Sequence, residues 1–360
     1  MATDYKNIII GELDTMRKAD IARKKPFEAR AYAKVITGLR ALTGAVTSFD
    51  DVKDLPGVGV KIKDKIKEII ETGSLKSAAR AREEVSIDAM DILQNIHGVG
   101  PVKAKDLIEK HGIKTIEQLR AELAKNPDLL NDIQKMGLKY YEDAVLRIPR
   151  SEMEEHEKLL LSSLDTKFKG TIVGSYRRGA IDSGDIDMLL TLPEDISAKA
   201  QGEEFIKFIQ LLKDVGYIVD SLAIGPKKFM GYVRLDDEYK ARRLDLLMTP
   251  AAEYAYAILY FTGSQAFNVA FRTYAQSKGY TINEHTMKPV AEGVPVVPPM
   301  KTEEDIFAFL GLQYILPTER VSAADIKNLP LVPVPLTVPV AIPLSKRKGG
   351  KRRSRSRSRH

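Results

Sequence analysis

Three aspartates lie among apolar residues at a spacing that suits a divalent-cation site. Asp185 and Asp187 are separated by one residue, so on a β-strand both carboxylates project from the same face. Two such carboxylates repel each other unless a cation lies between them, and Mg²⁺ favours carboxylates together with substrate phosphates. Asp245, within the apolar run Arg243–Met248, is the third candidate ligand, because a buried aspartate without a partner is costly.

A candidate anion site precedes this aspartate pair. Gly174 and Ser175 follow the predicted strand Lys169–Val173, the segment 177–179 supplies two arginines and a glycine, and Ser183-Gly184 comes directly before Asp185. A strand, a Gly-Ser turn and an Asp-x-Asp strand place a triphosphate beside two metal ions. One ion can then activate a 3′-hydroxyl while the other neutralises the triphosphate.

Two short segments near the N-terminus resemble each other. Each has an apolar residue, any residue, the sequence Gly-Val-Gly and then a lysine-rich amphipathic helix, and the glycines are Gly57 and Gly59 in the first copy and Gly98 and Gly100 in the second. Glycine permits a tight turn with positive φ and exposes backbone N–H groups at a helix N-terminus to an anion. The pattern is typical of a helix-hairpin-helix motif, which binds the DNA sugar-phosphate backbone without reading bases.

The remaining periodicities predict the elements that carry these residues. Residues 1–80 are predicted to be helical, from apolar residues at near-helical spacing: Ile21, Ala22, Phe27, Ala31, Val35, Ile36 and Leu39. From about residue 168 the pattern becomes α/β, with strands at 169–173 and 186–192, a hairpin joining Tyr232–Leu235 to Arg243–Met248, and helices at 202–214 and 251–259. Because no long βαβ series occurs, a strand-rich palm is favoured over a doubly wound sheet.

Composition excludes several other classes of protein. The 360 residues contain no cysteine and five scattered histidines, which excludes disulfides and thiolate zinc sites and argues against a histidine metal cluster. Neither a signal peptide nor an uncharged apolar run of 18 residues is evident, so the chain is expected to be soluble and intracellular, without a membrane partner.

The net charge of +7 is a property of the C-terminus. Residues 346–360 carry nine Lys and Arg and no acidic residue, so the remaining 345 residues have a net charge of −2. The proline-rich stretch 329–344 is predicted to be an extended linker, and the Ser/Arg tail after it a nucleic-acid arm, a nuclear import signal, or a solubility tail with no dedicated role. The tail favours a nucleus or a viral replication site.

Several segments together resemble the family X DNA polymerases, in particular the beta type. Gly174–Gly179 and Ser183–Asp187 are similar to the nucleotidyltransferase signature of that family, and Tyr260–Ser264 is similar to its sugar-discriminating segment. Gly279–Glu284 matches as well, and the likeness extends over about residues 8–320.

The resemblance implies a role for each matching residue. Asp185, Asp187 and Asp245 are implied as the ligands of two Mg²⁺ ions, for which Mn²⁺ can substitute, and Asp245 as the residue nearest the primer 3′-hydroxyl. The implied contacts of the triphosphate are Ser175, Arg178, Ser183 and Gly184. Those of the sugar are Tyr260, Phe261 and Gly263, and the implied contact of the base is Asn268. Arg272 is implied to contact the template strand, and Na⁺ or K⁺ to bridge the hairpins to phosphates.

The N-terminal part resembles the domain that removes a 5′-deoxyribose phosphate through a lysine Schiff base. The implied nucleophile is Lys65, and Lys24, Lys25 and Lys61 are the implied contacts of the 5′-phosphate. Lysines crowd one helix there, and like charges one turn apart disfavour protonation, which suits an amine nucleophile. A solvated, phosphate-binding helix face is the alternative.

Three positions depart from the family pattern. Ala29 stands where an aromatic residue is expected near the lyase site, with Tyr32 one turn further on. Gln265 occupies a position that is acidic in the beta type, and Leu247 replaces an arginine that pairs with a metal-binding aspartate during closing.

We therefore expect an α+β multidomain protein. The predicted units are a helical lyase-like domain (1–83), a DNA-binding subdomain (84–147), a catalytic palm with a mixed sheet (148–251), a nucleotide-selection subdomain (252–325) and the linker and tail (326–360). The expected function is template-directed gap filling in base excision repair by a monomer that binds gapped or nicked DNA and dNTPs, with the tail contacting repair proteins or nucleic acid. A template-independent nucleotidyltransferase and a non-catalytic DNA-binding protein are the alternatives.

Overall fold

The structure is a computed structural model that describes residues 3–23, 25–42 and 44–321. The predicted 5′-phosphate contact Lys24 lies outside the described residues. So do residues 322–325 of the predicted nucleotide-selection subdomain and the whole predicted linker and tail, 326–360.

Up to residue 144, the regular elements of the described residues are all helices, and they form two successive units. The first unit consists of α1 (Lys6–Ala22), α2 (Pro26–Ala41), α3 (Val60–Thr72) and α4 (Lys76–Val85). Its core is aliphatic, with Leu13, Val35, Leu39 and Ile66 fully buried. The second unit consists of α5 (Ile87–Gln94), α6 (Pro101–His111), α7 (Ile116–Lys125), α8 (Asp132–Lys139) and α9 (Tyr141–Ala144), around a separate core that includes Leu93, Leu107 and Leu119.

A five-stranded mixed sheet forms the centre of the molecule. The segment begins with β1 (Ile148–Pro149), α10 (Arg150–Ser162), β2 (Lys169–Ile172), α11 (Gly174–Arg177) and β3 (Asp182–Ser183). It continues with β4 (Ile186–Thr191), α12 (Ala198–Asp214), β5 (Ile218–Ile224), β6 (Lys228–Val233) and β7 (Arg242–Met248). The strand order is β2-β4-β7-β6-β5, in which β4 and β7 are parallel and the other neighbours antiparallel, while β1 pairs with β3 separately.

The C-terminal subdomain packs helices around an aromatic core. It contains α13 (Tyr254–Thr262), α14 (Gln265–Ser277), the hairpin of β8 (Tyr280–Ile282) and β9 (Met287–Pro289), and α15 (Glu303–Phe309). Phe267, Phe271 and Phe307 lie in mutual contact, with ring centroids 5.0 to 6.4 Å apart. These rings fix the position of α14 relative to α15.

The predicted fold class is confirmed, with helices first and an α+β region after them. The predicted strands and the hairpin around Asp236 are present, and the predicted helical region 1–80 consists of several helices. Pro26 begins a new helix, since proline suits the first helical turn, so Ile21 and Phe27 remain 50% and 78% exposed instead of sharing one buried face. Among the described residues, no helix is long and apolar enough to cross a membrane.

Candidate active site

The three aspartates meet at one end of the two parallel strands. Asp187 on β4 is the direct register partner of Asp245 on β7, and Asp185 comes just before β4. In β7 the residues alternate between buried and half-buried, so Asp245 shares its face with Arg243 and Leu247 while Leu244 and Leu246 fill the core. The same-face arrangement expected from the spacing is therefore present, and register brings the third carboxylate beside it.

Burial disfavours ionisation of Asp187 and Asp245, and the charge of Asp245 adds to this effect at Asp187. Burial, and next the charge of Asp245, raise the pKa of Asp187 to about 6. Burial also raises the pKa of Asp245, although the charges of Arg243, Lys228 and His97 oppose that rise. These raised pKa values indicate a site in which nearby positive charge does not balance the ionised carboxylates.

The aspartates have the character of a cation site. Oδ1 of Asp245 is buried without a hydrogen-bond partner, which a metal ion would satisfy. A Cβ at position 174 would lie 3.0 Å from Oδ2 of Asp187, so Gly174, at φ +63°, keeps this edge of the carboxylate clear. In the described part of the chain no three acidic or histidine side chains are already gathered as metal ligands. Asp185 instead forms a close ion pair with Arg243.

We expect Asp187→Asn to stabilise the metal-free protein by on the order of 1 to 3 kcal/mol at pH 8. The folded state retains a proton on Asp187 up to about pH 6. The unfolded chain releases it near pH 3.9, so this group lowers stability as pH rises through that window. Urea denaturation at pH 8 and at pH 4 tests this. An equal effect at both pH values would contradict it.

The predicted triphosphate site is assembled next to the aspartates. Ser175 lies in α11 and Ser183 in β3, and their Oγ atoms are 3.0 Å apart. A Cβ at position 184 would lie 3.0 Å from Nη1 of Arg147, so Gly184 leaves room for that arginine. Arg178 is half-buried and donates from Nη1 to the carbonyl of Thr262 (2.6 Å), so its guanidinium lies between the palm and α13.

Arg177 differs from the expectation that both arginines serve the anion site. It points into the interface with the C-terminal subdomain, where it donates to Thr262 (2.6 Å) and to Glu303 (2.7 Å). Glu303 also pairs with Arg320, which is fully buried. Burial alone would raise the pKa of Glu303, but the bonds and charges of Arg177 and Arg320 outweigh burial and lower the pKa.

The residues predicted to contact sugar, base and template surround the end of α13. Tyr260 and Phe261 meet edge to face at 5.1 Å, and Gly263, at φ +66°, ends the helix. Asn268 donates to the carbonyl of Tyr260 (2.7 Å), and the Arg272 guanidinium lies 5.0 Å from the centre of the Tyr260 ring. The described structure thus brings Tyr260, Asn268 and Arg272 together around one small pocket.

Both glycine motifs form the expected turns. Gly57 and Gly98 have φ values of +98° and +82°, and Gly59 and Gly100 are the N-cap residues of α3 and α6. No side chain caps either helix, so backbone N–H groups in each first turn are available to an anion.

The lysine cluster lies on α3. Lys65 is half-buried and its Nζ donates to Ser77 Oγ on α4 (2.8 Å), whereas Lys61 and Lys25 are exposed. Tyr32 is buried in the core of the first helical unit. Its pKa is raised by burial and by the neighbouring charges of Asp20 and Glu28.

Two of the three departures from the family pattern, Leu247 and Gln265, have different surroundings. Leu247 packs into an apolar cluster between the sheet and α13 that includes Val173, Leu189 and Tyr254. Gln265 is exposed in the first turn of α14. An apolar contact therefore stands where the family pattern has an arginine.

Three residues of the site were not singled out from the sequence. Arg243 stands two positions before Asp245, so strand alternation was a sufficient signal for placing it on the same face. Glu303 is 126 residues from Arg177, and His97, whose pKa is lowered by burial and by the charge of Arg243, lies in the second hairpin. No local pattern connects either of them to the site.

Four family models match consecutive parts of the chain. They describe a helix-hairpin-helix domain (residues 6–75), the fingers domain of DNA polymerase lambda (91–144), a DNA polymerase beta palm (147–251) and a DNA polymerase beta thumb (257–321).

Curated proteins are similar over most of the chain. DNA polymerase lambda of Rattus norvegicus is 33% identical over 336 residues, which are 89% of this chain and 57% of the relative. DNA polymerase lambda of Arabidopsis thaliana is 30% identical, over 87% of this chain and 61% of the relative. DNA nucleotidylexotransferase of Gallus gallus is 28% identical, over 80% and 62%. The chain spans about three fifths of the length of these relatives.

Proposed function

Because the chain belongs to the family X DNA polymerases, we propose that it is a template-directed DNA polymerase that fills short gaps by two-metal nucleotidyl transfer. The observation that carries the proposal is the register pairing of Asp187 with Asp245, with Asp185 on the same face and the Ser175–Ser183 pair beside them. A carboxylate cluster next to an anion site is what phosphoryl transfer to a hydroxyl requires.

Each group has a role in the proposed reaction. Asp185, Asp187 and Asp245 hold the cations, for which Mg²⁺ is the natural choice and Mn²⁺ a substitute. The ions, when bound, supply the positive charge that favours an ionised 3′-hydroxyl and balances the triphosphate. Asp245, on β7, faces the primer end.

Nucleotide recognition is assigned to the protein surface around α13. Ser175, Arg178, Ser183 and Gly184 bind the triphosphate. The backbone turn after Phe261, at Gly263, excludes a 2′-hydroxyl by steric contact. The hydrogen bond from Arg178 to the Thr262 carbonyl holds this turn in position. Asn268 contacts the incoming base and Arg272 the template.

Template dependence tests the proposal directly. We would measure insertion of each dNTP into a one-nucleotide gap and onto the same primer without a template. Insertion of only the complementary nucleotide, and only in the gap, is expected. Equal addition to both substrates would favour a template-independent transferase.

We also propose a 5′-deoxyribose-phosphate lyase activity in the N-terminal domain. The half-buried amine of Lys65 is held by Ser77, and α3, which carries it, begins at the first hairpin. Exposed Lys25 and Lys61, together with Lys24, are assigned to the 5′-phosphate. A Schiff base on Lys65 then promotes elimination of the 3′ phosphate.

Lys65→Ala is expected to abolish the covalent adduct trapped by borohydride on a 5′-deoxyribose-phosphate substrate, while gap filling is retained. The reason is that no other amine on α3 is held in the same position: Lys63 and Lys67 lie instead over the Phe49 ring, at 5.8 and 5.5 Å. Lys67→Ala is the matched control and should trap normally. Full trapping by Lys65→Ala would assign the nucleophile elsewhere.

The proposed partners follow from these sites. They are gapped or nicked DNA and dNTPs, with Na⁺ or K⁺ at the hairpin carbonyls, and with repair proteins or nucleic acid on the tail. We propose that the protein acts as a monomer. Its proposed location is the nucleus or a viral replication site. Affinity for DNA should decline steeply with salt, because phosphate contacts release counterions.

A further inference from the structure

An open groove lies between the two helical units. It is lined by α1 of the first unit and by α5 and α6 of the second, and its volume is about 780 Å³. The lining surface is mainly apolar, and Ile21 and Val102, which belong to it, are 50% and 86% exposed. Apolar surface left open to this extent is typical of an interaction site.

The acidic side chains at the groove are already paired with basic ones. Lys18 on α1 lies 2.6 Å from Asp91 on α5. Arg23, near the end of α1, lies 2.5 Å from Glu84. The third acidic residue, on α6, has a lysine of the same helix as its partner, at 3.5 Å. A DNA phosphate would have to compete with these carboxylates for the cations, whereas an uncharged occupant leaves the pairs intact. The groove therefore suits an apolar, uncharged ligand.

The chain itself contains a segment of matching chemistry, residues 329–344. The segment carries no charge, and Thr337 is its one polar side chain. An extended proline-rich chain has three residues per turn, so this sequence would present apolar side chains on every face. Apolar side chains on all faces exceed what a simple spacer requires and favour binding to an apolar surface.

The position of this segment in the chain allows it to reach the groove. The described structure ends at Val321, whose carbonyl accepts a hydrogen bond from Ser264 Oγ (3.1 Å) at the start of α14. Fifteen residues lead from there to Leu336, and they can span up to about 50 Å. This reach is more than twice the radius of gyration of about 20 Å that a compact chain of this length has.

The length of the groove matches a few residues of such a segment. α6 borders the groove from Pro101 to Glu109, which corresponds to about 12 Å along the helix axis. About four residues of an extended proline-rich chain cover this distance, at about 3.1 Å each. The uninterrupted apolar run 329–336 is therefore long enough to fill the groove along α6.

We propose that part of the proline-rich segment 329–344 binds in this groove of its own chain. The bound segment contacts both helical units at once. It also brings the basic tail 346–360 close to the second hairpin, because Pro101 in the groove directly follows Gly100 of that hairpin. The prolines limit the freedom of the unbound segment, which lowers the entropy lost on binding. The inference goes beyond the proposed polymerase function and does not depend on it.

Cysteine crosslinking tests this in the full chain, which contains no cysteine of its own. Val102→Cys places a thiol in the groove, and Thr337→Cys places one in the segment without removing an apolar side chain. The control pair combines Thr337→Cys with Val215→Cys, since Val215 is 61% exposed at the end of α12, away from the groove lining. A short bismaleimide is added to dilute protein, and the rate is followed by mass spectrometry of the intact chain.

The groove pair should crosslink within one chain about tenfold faster than the control pair, because binding raises the effective concentration of the segment above that of a free tether. Adding Ile21→Asp to the groove pair should remove this advantage, since a carboxylate in the groove opposes apolar binding. Ile8→Asp is the matched substitution and should leave the rate unchanged: Ile8 lies on the same helix, is 36% exposed and does not line the groove.

Two results would overturn the inference. Equal crosslinking rates for the groove pair and the control pair, or a rate that Ile21→Asp leaves unchanged, would show that the segment does not bind in the groove. Crosslinks that join two chains and disappear on dilution would assign the groove to the segment of a second copy instead.

Discussion

Asp245→Ala is expected to reduce nucleotide insertion by on the order of 10³-fold or more, comparable to or larger than the loss of one preorganised charge-stabilising group in other enzymes. Asp245 pairs in register with Asp187, and its Oδ1 has no protein hydrogen-bond partner. In the proposed reaction, its removal leaves the primer hydroxyl without the carboxylate that would position the cation. Single-turnover insertion into a one-nucleotide gap measures the effect, because it isolates chemistry from product release.

The fold should survive this substitution. The pKa of Asp245 is raised, mainly by burial, so ionising this group in the folded protein is unfavourable and its removal should not destabilise the metal-free chain. Asp237→Ala is the control, since its side chain is fully exposed in the loop after β6, and it should insert within about twofold of wild type. Insertion by Asp245→Ala at the control rate would exclude Asp245 from catalysis.

Glu303→Gln is expected to destabilise the protein by about 3 to 5 kcal/mol, the usual cost of breaking a buried ion pair by removing one partner. Glu303 is 4% exposed and bonds to both Arg177 and Arg320. The Arg320 guanidinium is surrounded by the rings of Phe267, Phe307 and Tyr314, at 5.3 to 5.5 Å. Among the described residues, Glu303 is the carboxylate that pairs with it. The charge of Arg320 would be left uncompensated.

Urea denaturation measures the change, with Glu203→Gln as control, because the Lys199–Glu203 pair is exposed on α12 and should contribute less than about 1 kcal/mol. The pH dependence gives a second test. The lowered pKa of Glu303 means that its contribution is present above the ordinary carboxyl pKa and is lost as pH decreases through the lowered value. A difference between wild type and Glu303→Gln that persists unchanged at pH 2 would contradict the ionic explanation.

The same network connects stability to the active site. Arg177 donates to the side chain of Thr262, and Arg178 donates to its carbonyl, directly before the turn at Gly263. The Glu303 cluster therefore holds the end of α13 against α11, next to the predicted triphosphate site. Substitutions in the cluster should consequently affect nucleotide affinity as well as unfolding.

Much of this architecture follows from local sequence patterns. Strand alternation is sufficient to predict that Asp185 and Asp187 face the same way, and the positive φ of Gly57 and Gly98 is what two Gly-x-Gly turns require. The α+β class follows from the change of hydrophobic period near residue 168. These properties depend on neighbours within a few residues, so the sequence by itself determines them.

Other features depend on contacts between distant segments. The pairing of Asp187 with Asp245 depends on the register of β4 and β7, and so does the contact of Arg243 with Asp185. The position of the Arg177 side chain depends on Glu303, which is 126 residues away. The periodicity of a segment shows which face of a helix or strand a side chain occupies. It does not show which residues pack against that face. Only the tertiary structure decides this, because ion pairs and buried charges form wherever packing brings their partners together.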